Sequence, residues 1–142
     1  MVTALSSTDY RIVVEQSPIM IWRTDRHAKC DYFNQRWLLF TGRPMADELG
    51  DGWLEGVHPD DRERCMKTFL DAFENHAEFE MEYRLCRYDG EYRWITDAGG
   101  PIFDVNGTFL GYVGSAVDCT DHVDARATLA KANLKKLGLD GA

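Results

Sequence analysis

The sequence predicts an α+β domain: a five-stranded antiparallel sheet flanked by helices, with a C-terminal helix leading away from it. Three observations predict this. Asp89-Gly90 and Asn106-Gly107 are chain-reversal signals, each set between β-rich segments. His58-Pro59-Asp60-Asp61 opens a long amphipathic helix, with proline at the first helical position and two carboxylates in the first turn. The order strand, strand, short helices, long helix, three strands, helix lets the helices cover one sheet face around an interior cavity.

The elements follow in order. Ser7, Thr8 and Asp9 offer caps for an entry helix over residues 9–16 that ends near Ser17-Pro18. Residues 19–24 and 30–33 read as strands joined by the polar loop at 25–29. Asn34 caps a helix that carries Trp37, Leu38 and Phe40 and stops at Gly42. Residues 43–57 are broken by glycine, proline and aspartate into one-turn helices. In the helix at 59–74, Cys65, Met66, Phe69, Leu70 and Phe73 form one apolar face.

Strands are predicted at 78–88, 91–103 and 108–118. A two-residue turn at Asp89-Gly90 sets Leu85 opposite Trp94 and Tyr83 opposite Thr96. Met81, Tyr83, Leu85 and Trp94 then share one face, and Glu82, Arg84, Arg93 and Asp97 the other. In the last helix Val123, Ala127, Ala130, Leu134 and Leu137 are spaced 4, 3, 4, 3, a seam over two heptads. The chain thus divides into an entry segment over residues 1–17, a core over 18–119 and a linker helix over 120–142.

Composition narrows the function. A chain of 142 residues has room for one domain, and four Trp, six Tyr and seven Phe are too many rings for a disordered segment. Sixteen Lys and Arg against 24 Asp and Glu leave a formal charge of -8, which argues against nucleic acid and against direct contact with anionic membranes. Residues 1–10 carry neither the basic patch nor the apolar core of a signal peptide, so a cytoplasmic protein is expected. Cys30, Cys65, Cys86 and Cys119 lack the local pairing of a zinc site and read as reduced, buried thiols, with no metal.

The ordered segments resemble a PAS domain of the kind found in bacterial sensor histidine kinases and diguanylate cyclases. They are Ile21-Trp22-Arg23-Thr24-Asp25, Tyr32-Phe33-Asn34, Phe40-Thr41-Gly42-Arg43, Trp53 through Val57-His58-Pro59-Asp60-Asp61-Arg62, Glu82-Tyr83-Arg84-Leu85, Arg87 through Trp94, and Gly107 with Gly111-Tyr112. Asp118-Cys119-Thr120 stands where the family usually has Asp-Ile-Thr, and the match spans about residues 10–121. The resemblance implies the five-stranded sheet and a sensory or protein–protein signalling role without catalysis. It leaves the ligand open, since the family binds haem, flavins, carboxylates or nothing.

Trp22, Trp37, Phe69, Phe73, Tyr83 and Trp94 are the candidate pocket-lining residues, and such rings can equally fill the space as core. Arg23, Arg84 and Arg93 are candidates for a carboxylate ligand, set against pairing of Arg84 and Arg93 with Glu82 and Asp97 on the outer face. His76 stands near the family's haem-ligand position, but Glu74-Asn75-His76-Ala77-Glu78 reads as an exposed polar turn. Asn34 is followed by Gln35, not by the adduct-forming cysteine of flavin photoreceptors. Neither haem nor a covalent flavin is therefore expected, and an unidentified small ligand is allowed. His27 and His122 read as solvated.

His58 with Asp61 admits a small hydrolase or isomerase, against the plainer reading of a capped helix start. Asp118 and Thr120 are the candidate relay into the last helix. The seam from Val123 to Leu137 is expected to form a homodimer or to meet a partner's entry helix. The sequence shows no phosphoacceptor region, P-loop or cyclase motif, so the effector is a separate protein or a domain following Ala142. The alternative to a relay is a small-molecule or haem sensor.

Overall fold

Ser6 caps the first helix, α1 (Ser7–Glu15), in a reciprocal arrangement: its hydroxyl accepts the Asp9 N–H at 3.1 Å, and the Asp9 carboxylate accepts the Ser6 N–H at 2.9 Å. The helix begins two residues earlier than the expected start at residue 9 because this cap precedes Ser7. The computed structural model describes residues 4–139; the outermost parts of the expected entry and linker segments, residues 1–3 and 140–142, lie outside them.

The remaining elements are β1 (Met20–Thr24), β2 (Cys30–Phe33), α2 (Gln35–Thr41), α3 (Met45–Glu48), a 3₁₀ turn (Gly52–Gly56), α4 (Pro59–Glu74), β3 (Phe79–Cys86), β4 (Tyr92–Phe103), β5 (Phe109–Asp118) and α5 (Thr120–Lys136). The strands form one antiparallel sheet in the order β2-β1-β5-β4-β3. The N-terminal hairpin and the C-terminal meander thus join where β1 pairs with β5.

Asn34 holds the N-terminal part together. Its side-chain oxygen accepts the N–H groups of Ile21 and Trp37, and its amide nitrogen donates to the carbonyls of Val14 and Ile19. The side chain is fully buried and satisfied, so one cap serves α1, β1 and α2 together.

Three reversals share one design. The N–H groups of Asp25, Arg87 and Asp104 each donate to the carbonyl of the residue four later, and a left-handed residue stands at the third and last position of each loop. Gly90 and Gly107 fill it at φ 83°, and Ala28 fills it at φ 65°. This is the three-residue loop with a bulge, not the two-residue turn.

The longer loop moves the β3–β4 register by one residue. Leu85 faces Arg93, Arg84 faces Trp94, Tyr83 faces Ile95 and Met81 faces Asp97. A one-residue slip exchanges the faces of every β4 side chain. Trp94 therefore leaves the face shared by Met81, Tyr83 and Leu85, and Asp97 turns inward, where it is buried. The expected grouping of Asp97 with Glu82 and Arg84 is corrected accordingly.

The core lies between the inner sheet face and the helices that follow β2. Phe33, Trp37, Val57, Cys65, Tyr83, Leu85, Ile95 and Tyr112 are its most deeply buried side chains. Trp22, Gly114, Gly99 and Phe79 form one row across β1, β5, β4 and β3. The two glycines leave room for the rings on either side: a Cβ at Gly114 would stand 2.1 Å from the Trp22 ring, and one at Gly99 would stand 2.8 Å from Trp22 and Phe79. The two rings stack at 6.0 Å.

Candidate functional site: an aromatic cavity and the sheet exit

The inner face of the sheet and the facing helices frame a small, partly open cavity. Trp22 comes from β1, Cys30 and Phe33 from β2, and Trp37 from α2. Trp53 comes from the 3₁₀ turn and Phe69 from α4, while Phe79, Met81 and Asp97 close the space from β3 and β4. The free space is about 20 Å³. That is room for one or two water-sized groups, so the rings largely fill the interior themselves.

Of the candidate lining residues, Trp22, Trp37 and Phe69 border the cavity. Tyr83 lies behind it and supports Asp97. Phe73 packs one layer away against Phe69, Phe109 and Tyr112. Trp94 is on the opposite sheet face, where the Arg84 guanidinium stands 5.1 Å from its ring centre.

Asp97 is the polar feature of the cavity, brought inward by the three-residue loop where a two-residue turn would place it on the outer face. Its Oδ1 accepts the Trp22 Nε1–H at 2.8 Å, and its Oδ2 accepts the Tyr83 hydroxyl at 2.7 Å. Burial pushes its carboxyl up to about 7, against the lowering effect of these two bonds. Burial also pushes the Cys65 thiol up to about 12 and the Cys30 thiol up further. Cys86 and Cys119 are only half-buried, which corrects the expectation that all four thiols are interior.

The arginines go elsewhere than expected. Arg84 pairs with Asp61 of α4, not with Glu82 or Asp97: Nη2 and Nε donate to the carboxylate at 2.8 and 3.0 Å, and the Arg84 backbone N–H adds a third bond at 2.9 Å. The Arg84 bonds hold the Asp61 carboxyl down at about 2. β3 is an edge strand, and its outward backbone groups are covered here. The Arg84 carbonyl accepts the His58 N–H, and the Glu82 carbonyl accepts from Arg64. Arg23 pairs with Asp31 in an exposed contact.

His58 caps α4, its Nδ1 accepting the Asp60 N–H at 3.1 Å while its ring contacts Tyr92. Asp61 is committed to Arg84, so the pair has the geometry of a helix start. His76 is exposed with a positive φ of 48°, and its ring stacks on Phe109 at 3.9 Å, outside the cavity. His27 and His122 are exposed.

At the sheet exit, the Asp118 carboxylate accepts the Arg93 Nε–H at 2.8 Å and the Thr120 N–H at 3.0 Å. Against the opposing cost of partial burial, these bonds hold the Asp118 carboxyl below its ordinary value. The Thr120 hydroxyl accepts the Trp94 N–H at 2.9 Å, which bonds the first residue of α5 to β4. Arg126 reaches back to Glu82 at 2.9 Å. α5 buries no side chain: Val123 is half-buried, and Ala127, Ala130, Leu134 and Leu137 are exposed, as is Leu129 beside them. Among the described residues, no helix is long and apolar enough to cross a membrane.

A five-stranded antiparallel sheet folded over short helices and an aromatic interior, with a helix leaving its last strand, places the chain in the class of PAS-like domains. The model of the PAS fold matches residues 31–116, and the chain belongs to that family. PAS domains are generally sensory, non-catalytic modules. The chain is 41% identical over 120 residues to the uncharacterized protein y4lL of Sinorhizobium fredii, covering 84% of this chain and 14% of that protein. It is 26% identical over 141 residues to the peroxide stress-activated histidine kinase mak1 of Schizosaccharomyces pombe, covering 93% of this chain and 9% of that one. The chain thus spans a small part of the curated relatives it matches. A solved PAS domain from Colwellia psychrerythraea superposes with a TM-score of 0.66 at 22% identity, over 80% of this chain and 97% of that one.

Proposed function

We propose that the chain is a sensory PAS module that passes a ligand or partner signal through α5 to an effector such as a histidine kinase or a diguanylate cyclase. One observation carries the reading: β4 holds Asp97 at the cavity and, three residues earlier, Trp94, whose N–H is bonded to Thr120. A change in the cavity that shifts β4 acts directly on the start of α5. Similarity to a histidine kinase supports the choice of effector.

The output in this reading is association through the stripe of Val123, Ala127, Ala130, Leu134 and Leu137. The stripe is thin, with three of its five positions Ala or Val, so its affinity in isolation is weak. Sedimentation of the intact chain beside a Leu134→Glu/Leu137→Glu variant tests it. Concentration-dependent dimerisation of the parent chain and its loss in the variant are expected. If both sediment as monomers at high concentration, self-association through this stripe is discarded.

A further inference from the structure

Three carboxylates are buried among the described residues: Glu48, Asp61 and Asp97. Two have a cation. Glu48 is paired with Arg43, and Asp61 with Arg84. Asp97 has none among the described residues; its partners are the neutral donors of Trp22 and Tyr83. An ionised carboxylate can accept about four hydrogen bonds, and these two leave acceptor capacity on both oxygens. Burying an acid without a countercharge is costly, and proteins usually avoid it by pairing.

The cavity beside Asp97 is walled by the rings of Trp22, Phe33, Trp37, Trp53, Phe69 and Phe79. Aromatic faces attract cations, tryptophan most strongly, and the attraction grows when the cation is desolvated.

We propose that this cavity is a binding site for a small organic cation, an alkylammonium group whose N–H donates to Asp97 while its carbon rests against the aromatic wall. The inference rests on the sensory reading above, for which it names the ligand class. The free space of about 20 Å³ limits the buried head to a group the size of methylammonium. Met81, an adaptable side chain, forms part of the wall and allows slightly larger heads.

The titratable groups around Asp97 are Tyr83 on β3, Cys30 on β2 and Cys65 on α4, and burial disfavours ionisation of all three. Asp97 is therefore the group whose ionisation governs the site. Since burial pushes it up to about 7, binding strengthens by about tenfold from pH 6 to pH 8.

The test is a titration of the intact chain with methylammonium chloride, followed by tryptophan emission and by thermal midpoint. Sodium chloride matches the ionic strength, and methanol serves as the neutral probe of equal heavy-atom count. So small a ligand reaches millimolar affinity at best. Saturable change with methylammonium, at least tenfold weaker change with methanol, and loss in Asp97→Asn are expected. The comparison of the two probes on the parent chain stands even if that variant fails to fold. If methanol saturates equally well, or a folded Asp97→Asn binds methylammonium within twofold of the parent, the cation is overturned and the cavity remains a ligand site. If neither probe alters emission or midpoint, the site is overturned as well. The relay reading is judged separately, by sedimentation.

Discussion

Asp61 on α4 and Arg84 on β3 meet through a bidentate ion pair, and the same carboxylate accepts the Arg84 backbone N–H. One side chain thereby ties the start of the long helix to the exposed edge of the sheet. It also satisfies a strand donor that would otherwise face solvent or another chain.

Asp61→Asn is expected to destabilise the fold by about 2 kcal/mol at neutral pH. The Arg84 bonds hold this carboxyl at about 2 in the folded chain, below its ordinary 3.8. The stabilisation is therefore complete above about pH 4 and is lost as pH falls towards 2. Urea denaturation of both chains at several pH values checks this: the two curves converge in acid.

Asp97 runs the other way. Its folded-state value of about 7 lies above its ordinary 3.8. Between about pH 4 and pH 7 the unfolded chain gives up this proton and the folded chain keeps it. The contribution of Asp97 to stability therefore falls as pH rises through that window, by on the order of 4 kcal/mol, and is flat above it. The parent chain is expected to lose stability relative to Asp97→Asn from pH 4 to pH 7. A constant difference across that range contradicts the burial of an unpaired acid.

His58→Ala is expected to lower stability by about 0.5–2 kcal/mol, the usual cost of losing a helix cap. The side chain is occupied at the start of α4 and its neighbour Asp61 is held by Arg84. A turnover that vanishes in this variant while the fold persists would support the hydrolase or isomerase reading instead.

Gly114→Ala is expected to cost about 1–3 kcal/mol, because the new Cβ meets both the Trp22 ring and the Ala98 carbonyl. Displacement of Trp22 would weaken its bond to Asp97 as well. Thermal unfolding together with a change in tryptophan emission reads both effects; an unchanged midpoint and spectrum would show that the row across the sheet is not tightly packed.

The strands, the long helix and the reversals were legible because each has a local cause. Gly90 and Gly107 are the residues that adopt left-handed backbone most readily, Pro59 suits the first turn of a helix, and alternation marks a half-buried strand. The members of the PAS-like series of motifs likewise stand in sequence order. The sign of the overall charge and the cap at Asn34 needed no tertiary information.

The tertiary structure decided the faces and the partners. Asp89-Gly90 serves a two-residue or a three-residue loop, and the difference of one residue exchanges Trp94 for Asp97 at the interior. Arg84 had acidic neighbours on its own strand, yet its carboxylate comes from α4, 23 positions away, because the helix start packs on the sheet edge. Local sequence sets backbone preference within a few residues. Register and charge pairing depend on contacts between distant segments, which form only when the sheet and helices pack together.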